Sequence, residues 1–353
     1  MTQDLDRDKA NAFGDRLLAT LNSASLSLML SVAHRTGLLD AMAAGGPASS
    51  ADIARRAKLD ERYVRECLGA LVTGGVVEYE PAGRTYRLPP EHAAFVTRAA
   101  APNNIASFMQ YIGVMGSVED QIVDCFRRGG GVPYAAFKRF HEVMAEDSGQ
   151  TVLPALIEMI LPLVPGLLGR LREGIDVLDL GCGSGRALNL MAREFPRSRF
   201  RGIDFSEEAI GRARAEAGQK NVRFDVVDAA AFDEVEAYDF ITTFDAIHDQ
   251  ADPARVLHNI HRALRRDGTY LMQDISGTSH LEKDVEHPAG PFLYTISTMH
   301  CMTVSLAAGG VGLGTMWGEE TAGRMLREAG FTRISTERLA HDFQNLYFVI
   351  RKD

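Results

Sequence analysis

The sequence is short of the features that define several protein classes. Its four cysteines, Cys67, Cys125, Cys182 and Cys301, stand far apart, with no Cys-x-x-Cys pair and no metal-ligand rhythm. That spacing argues against a disulfide framework or a structural zinc, and for a reduced, cytoplasmic setting. Positive charge is also scarce, since 38 Lys and Arg face 47 Asp and Glu and leave a formal charge of −9. A chain whose main task is to hold nucleic acid needs a basic face, so that reading is disfavoured. Uninterrupted apolar runs are missing too. The longest apolar stretch, Val152 to Leu168, carries Glu158, Pro154, Pro162 and Pro165, and reads as buried helix and turn rather than a membrane span. The polar, partly acidic N-terminus is unlike a secretory signal, and no internal repeat or low-complexity tract is visible. What remains, 46% hydrophobic and 24% charged over 353 residues, is ordinary globular composition with length for two domains.

Residues 1–100 read as mainly helical. Leu21, Leu26, Leu28, Leu30, Val32 and Leu38 form a broad apolar face that ends near Gly45-Gly46-Pro47 and asks for a partner. Ser49 and Ser50 are candidate N-caps for a helix over Ala51 to Lys58. Asp60 caps a second, with Val64, Leu68 and Leu71 on one face and Gly74-Gly75 as its stop. Val76 to Tyr79 and Thr85 to Leu88, separated by Pro81-Ala82-Gly83, then read as a hairpin. Two helices and a hairpin make a winged helix. The second helix mixes Asp60, Glu61 and Glu66 with Arg62 and Arg65, which favours a scaffold or dimerisation role over reading DNA.

Residues 101–172 are expected to be helical, with a break at Gly129-Gly130-Gly131-Val132-Pro133. From about 175 to 275 strands and helices alternate, the signature of an α/β domain with a doubly wound parallel sheet. Its chemistry belongs at the carboxyl ends of the strands. Ile175 to Leu180 ends in Gly181-Cys182-Gly183-Ser184-Gly185, and Arg186 to Glu194 follows as a helix. Glycines there let backbone approach a ligand. A dinucleotide fingerprint wants glycine or alanine where Arg186 stands, and the loop lacks the Lys-Ser/Thr pair of a P-loop. Arg199 to Asp204 ends on an acid 21 residues after Gly183, the place for a carboxylate that binds ribose hydroxyls. Val222 to Val227 ends at Asp228, and Tyr238 to Phe244 runs into Asp245-Ala246-Ile247-His248. Successive strand ends therefore bring glycines, acids and a histidine toward one crevice.

Val177 to Gly185, Gly202-Ile203-Asp204-Phe205-Ser206, Val226 to Ala229 and Leu264 to Leu271 together resemble the class I S-adenosylmethionine-dependent methyltransferases. The resemblance covers about 173–353 and implies a Rossmann-like seven-stranded domain that ends in an antiparallel pair, Phe331 to Leu339 with Asn345 to Ile350. It further implies that Gly181, Gly183 and Gly185 line the methionine part of the cofactor, with Asp179 beneath and Asp245 nearby. Asp204 would grip the ribose, Phe205 flank the adenine, and Asp228 hold the adenine amino group beside Ala229. The winged helix of residues 1–100 adds a likeness of architecture to plant and bacterial small-molecule O-methyltransferases, including an actinobacterial group, and implies a homodimer through the N-terminal helices.

His248-Asp249 falls where the plant-type O-methyltransferases have a His-Asp pair whose histidine deprotonates the substrate hydroxyl, although Gln250 stands where those enzymes have tryptophan. The expected role of His248 is therefore general base, with Asp249 as helix cap or tautomer-setting partner. An insertion over 276–317 is expected to roof the pocket. There Phe292, Met299 and His300 are candidate substrate-pocket residues, with Gly309 to Gly314 as a hinge, and Phe108, Tyr111, Met115, Tyr134 and His141 are their counterparts in the middle helices. Asp245 and Asp274 stand where metal-dependent catechol methyltransferases place acids, but Ile275 follows where those enzymes have asparagine, so no metal is expected. The sequence predicts a methyltransferase acting on a small molecule, at oxygen before nitrogen or sulfur. The alternative is a DNA-binding regulator that senses S-adenosylmethionine.

Overall fold

The computed structural model describes residues 5–352. These form two compact units, one through Val114 and one from Met115 onward.

In the first unit a single helix runs from Arg7 to Arg35, capped by Asp6, whose side chain accepts from the Lys9 N–H. Leu30 of the expected apolar face is buried, whereas Leu21, Leu28 and Val32 are exposed together with Phe13, Leu17 and Leu18. This helix is long and apolar enough to cross a membrane by length and composition. Ser49 caps Ser50–Ala57, and Asp60 caps Glu61–Thr73 by accepting from the Arg62 and Tyr63 N–H groups. The hairpin pairs β1 (Glu78–Glu80) with β2 (Thr85–Arg87) in antiparallel register, Tyr79 opposite Tyr86. It starts two residues later than the pattern suggests, because the N–H groups of Val76 and Val77 both turn back to the Leu71 carbonyl and close the preceding helix. Leu39, Ile53, Leu68 and Leu71 are fully enclosed in this unit's core.

In the second unit the helix Glu119–Arg128 stops at the glycine run, and a short 3₁₀ turn, Tyr134–Ala136, leads to the helix Phe140–Gln150. The apolar stretch expected as helix and turn is a broken rod: Val152–Ala155, a π-helical turn over Leu156–Ile160 and a 3₁₀ turn over Leu161–Leu163. The sheet has seven strands: β3 (Asp176–Leu180), β4 (Arg199–Asp204), β5 (Val222–Val226), β6 (Tyr238–Phe244), β7 (Leu264–Ile275), β8 (Arg333–Glu337) and β9 (Asn345–Arg351). Their spatial order is β5-β4-β3-β6-β7-β9-β8, parallel except for β9, which runs antiparallel to both its neighbours.

Helices bury both faces of the sheet. Leu178, Leu180 and Ile241 point into one apolar layer and Val177, Phe240 and Leu271 into the other, each such side chain contributing roughly 1.5–3 kcal/mol by its burial. The strand order reverses between β3 and β6, so the loops that follow these two strands leave in opposite directions and open a crevice.

Candidate functional site

The glycine loop after β3 forms the floor of that crevice. Gly181 and Gly185 both have positive φ, 73° and 68°. A Cβ on Gly181 would stand 2.5 Å from the Ala246 Cβ, and one on Gly185 would stand 2.3 Å from the Phe224 ring, so both positions need glycine for packing as well as for conformation. Around Gly183, by contrast, a Cβ would meet nothing within 4 Å. That face is open, and the cavity above it is walled by His141, Met144 and Ser148 from the helix Phe140–Gln150, with Asp179 and Phe244 below.

Acids from adjacent strand ends converge here. The Asp204 carboxylate accepts from the Gly183 and Ser206 N–H groups, each at 2.9 Å. It is thereby aimed over the loop with lone pairs left for hydroxyl donors. Burial raises its pKa despite these two bonds. Asp179 is buried and accepts from the Thr242 hydroxyl at 2.8 Å. Burial pushes its pKa up to about 7, against the Thr242 bond and reinforced by Asp204. Asp249 rises to about 6, again through burial, with His248 opposing. Asp245 sits at the end of β6 with φ 50°, a conformation that costs of order 1–3 kcal/mol outside glycine. One of its oxygens accepts from Gln273 at 3.2 Å, while the other is buried without a partner. Burial, then Asp274, holds it well above the usual carboxylate range. A crevice lined by buried acids favours a ligand that brings positive charge.

Further along the crevice, Phe205 is 58% exposed and meets Tyr134 edge-on at 5.8 Å between ring centres. At the end of β5, Asp228 is exposed, with one oxygen taken by the Ala230 N–H, and Ala229 is buried. Asp179, Gly181 and Gly183 line the cavity over the glycine loop, whereas Phe205, Asp228 and Ala229 follow the ends of the neighbouring strands β4 and β5.

His248 is buried after β6, and its Nδ1 lies 2.7 Å from Asp274 Oδ1. The same oxygen accepts from Trp317 Nε1 at 3.0 Å. Burial disfavours the charged ring, but the Asp274 carboxylate outweighs it and holds His248 well above the ordinary histidine value. The tautomer-setting partner is therefore Asp274 rather than Asp249, and the cap of the following helix, Pro253–Ala263, is Asp252. The register is the reason: Phe244 pairs with Gln273, so the residue after Gln273 on β7 faces the turn that carries His248. Asp274 could have been suspected from the sequence, since Gln273-Asp274 follows the apolar run Tyr270-Leu271-Met272 on β7; Trp317 carried no signal.

The substrate-pocket candidates do not all converge. Tyr134 is the hub, packing on His141 at 4.8 Å, His300 at 5.2 Å and Phe140 at 5.6 Å. His141 Nε2 also meets the Ser206 hydroxyl at 3.2 Å. Met299 is half-buried beside His300 in the π-helical turn Ser297–Cys301, and Met115 is buried. Phe292 packs instead with Ile275, Leu293 and Met316 in a separate cluster. Phe108 and Tyr111 belong to the first unit, where their rings pack at 6.5 Å. The expected glycine hinge is tied down: the Val311 N–H donates to Ala251 O, and a Cβ on Gly310 would stand 2.4 Å from Ala251 Cα. Gly310, Gly312 and Gly314 serve close approach. Among the described residues, no group of three or more His, Cys, Asp or Glu is placed to hold a metal ion.

On the winged helix, Arg62 pairs with Glu66 and Arg65 with Glu61 along Glu61–Thr73, so this helix presents neutralised charge rather than a basic face.

Comparison with known proteins bears on the domains and the fold. Residues 24–98 match the Rv2258c-like winged HTH domain, and residues 171–330 match a methyltransferase domain. The malonyl-[acyl-carrier protein] O-methyltransferase of Bacillus cereus is 32% identical over 97 residues, 28% of this chain and 36% of that protein. The match thus spans about a third of that relative's length. Human N-acetylserotonin methyltransferase, solved in complex with S-adenosylmethionine, is similar in fold over 100% of both chains, with TM-score 0.69 and 18% identity. A mitomycin 7-O-methyltransferase aligns over 98% of this chain and 99% of its own, with TM-score 0.68 and 15% identity. At such identities the likeness is one of fold.

Proposed function

Because residues 171–330 are a methyltransferase domain and residues 24–98 a winged helix-turn-helix domain of the Rv2258c-like kind, we propose that this chain transfers a methyl group from S-adenosylmethionine to a hydroxyl of a small-molecule acceptor. The observation that carries the hydroxyl is the buried His248–Asp274 pair at the crevice. An amine or a thiolate needs less help from such a base.

The residues present fit the cofactor. The open face at Gly183 takes the methionine portion between Gly181 and Gly185, with Asp179 beneath and Asp245 alongside. Asp204, held by two backbone N–H groups, accepts from the ribose hydroxyls. Phe205, Asp228 and Ala229 take the adenine. When bound, the cofactor supplies an electrophilic methyl group on a positively charged sulfur, and the buried acids complement that charge. Because such a sulfur is already a good leaving group, the protein's work is alignment and exclusion of water. Tyr134, His141, Met299 and His300 wall the acceptor's side. His248 takes the hydroxyl proton, and Asp274 holds its ring and the charge that results.

The first unit acts as a scaffold for a homodimer. Phe13, Leu17, Leu18, Leu21, Leu28 and Val32 leave one helix with an open apolar face, which a second copy would cover.

A screen of hydroxylated metabolites with methyl-labelled S-adenosylmethionine tests the activity. Label carried to an oxygen is the expected result. Sequence-specific shifting of genomic fragments with no turnover on any acceptor would instead establish a cofactor-sensing regulator.

A further inference from the structure

Arg186 stands where a dinucleotide fold needs a small residue, and its side chain lines the cavity over the glycine loop. It opens the helix Arg186–Glu194, which leaves that loop with no side-chain cap. Its Nη1 donates to the Ala145 carbonyl at 2.8 Å and its Nε to Glu216 Oε2 at 3.3 Å, while Nη2 makes no hydrogen bond among the described residues. The Glu216 pair is solvated, with side chains 38% and 46% exposed, and a pair of that kind is weak. The guanidinium is therefore held in place by Ala145 without being used up. Nη1 keeps one hydrogen and Nη2 both, enough for the two oxygens of a carboxylate.

The helix Phe140–Gln150 gives the cavity a direction. His141, near its start, meets the hydroxyl of Ser206, whose N–H donates to Asp204, the acid assigned to the ribose. Ala145 and Gly149, one and two turns further on, lie against Arg186, and a Cβ on Gly149 would stand 3.7 Å from Nη1. At about 1.5 Å per residue, the Arg186 end of the cavity is displaced along the helix from the ribose end. Donors collect there. The hydroxyls of Ser148 and Ser184 line the cavity with no hydrogen bond among the described residues, and Arg186 is the lining side chain with a fixed positive charge. Acceptors for the ribose at one end and unspent donors at the other match a ligand that carries hydroxyls at one end and an anion at the other.

We propose that Arg186, with Ser148 and Ser184, binds the carboxylate of the cofactor's methionine portion and thereby selects the intact amino acid. This rests on the cofactor assignment above and is independent of which acceptor atom is methylated. Calorimetric binding of S-adenosylmethionine and of decarboxylated S-adenosylmethionine, which differ in that carboxylate, reads it without turnover. The native protein is expected to favour the intact cofactor by about ten- to a hundredfold, the worth of a hydrogen bond to a charged group. Arg186→Ala should erase most of that preference by weakening the intact cofactor while leaving the decarboxylated one within about threefold. Arg186→Gln keeps an amide donor for Ala145 but no charge, and should lose the preference in the same way. Ser148→Ala should lose a smaller share. Binding of the decarboxylated ligand also shows that each variant is folded.

If Arg186→Ala and Arg186→Gln weaken both ligands equally, Arg186 only fastens the helix Phe140–Gln150 and the proposal is overturned. It is equally overturned if the native protein binds both ligands alike, or if the preference survives in both variants. A native protein that binds neither ligand overturns the cofactor assignment as well, so the two failures are distinct.

Discussion

His248 Nδ1 and Asp274 Oδ1 meet at 2.7 Å in a setting closed to water, although the two residues lie 26 positions apart and on neighbouring strand ends. The bond fixes which imidazole nitrogen remains for other work. Replacing His248 by alanine is expected to lower kcat by about 10²–10⁴-fold, the usual contribution of a positioned general base, with cofactor affinity unchanged. Steady-state kinetics and calorimetric binding of S-adenosylhomocysteine check the two halves separately.

The same bond sets a pH dependence. His248 must be neutral to accept a proton, and Asp274 holds its pKa well above the ordinary value. The acid limb of kcat is therefore expected above pH 6.5, with activity rising as pH climbs through it. Asp274→Asn removes the charge that favours the imidazolium, so the limb should move to lower pH while the plateau falls. A limb that stays in place in the variant would detach it from His248.

Asp179 gives a second pH test, read in binding rather than turnover. Its pKa near 7 arises from burial, so below that value it is largely neutral and a cationic cofactor must expel its proton. Affinity for S-adenosylmethionine is expected to rise as pH increases from 6 to 8 and to be nearly flat in Asp179→Asn. For folding alone the sign reverses. A carboxyl whose folded pKa exceeds its unfolded value destabilises the protein increasingly from about pH 4 up to 7. Binding calorimetry in buffers of different ionisation enthalpy reads the released proton directly.

Asp204→Ala should weaken cofactor binding by about ten- to a hundredfold, since hydrogen bonds to a charged group are worth roughly 1.5–3 kcal/mol. It also frees the Gly183 N–H, whose carboxylate partner orients the loop. Asp204→Asn, which keeps one acceptor, should lose less. Equal affinities for both variants and the native protein would remove Asp204 from the ribose site.

Charged substitutions on the exposed helix face test the dimer. Leu17→Glu with Leu21→Glu alters side chains that are 54% and 63% exposed, so neither buries a charge within the chain. Light scattering is expected to show a dimer in the native protein and a monomer in the variant. A native monomer would refute the dimer, and recovery with lipid vesicles would point to a membrane surface for this face.

Particular residues show how legibility divides. The strand ends at Leu180, Asp204 and Phe244 could be read from the sequence because each is a local event, an apolar run that meets glycine or an acid, and the end of β5 at Val226 lies one residue before the expected Val227. The caps at Ser49 and Asp60 were legible for the same reason, since a capping side chain bonds within three residues. Asp274 was missed as the partner of His248 because their contact depends on the register of β6 against β7. Asp249 looked like that partner because His248-Asp249 resembles the His-Asp pair of the plant-type O-methyltransferases.

The sequence by itself determined the glycine loop, the acids that follow it and hence the crevice, because φ, strand period and turn chemistry act over a few residues. Only the tertiary structure decided what His248 touches. Asp274 reaches it from the neighbouring strand, and Trp317, from the far end of the insertion, bonds the same Asp274 oxygen. Those contacts are set by packing between distant segments, where burial fixes the energy of each polar atom, and no local pattern encodes which segment will arrive.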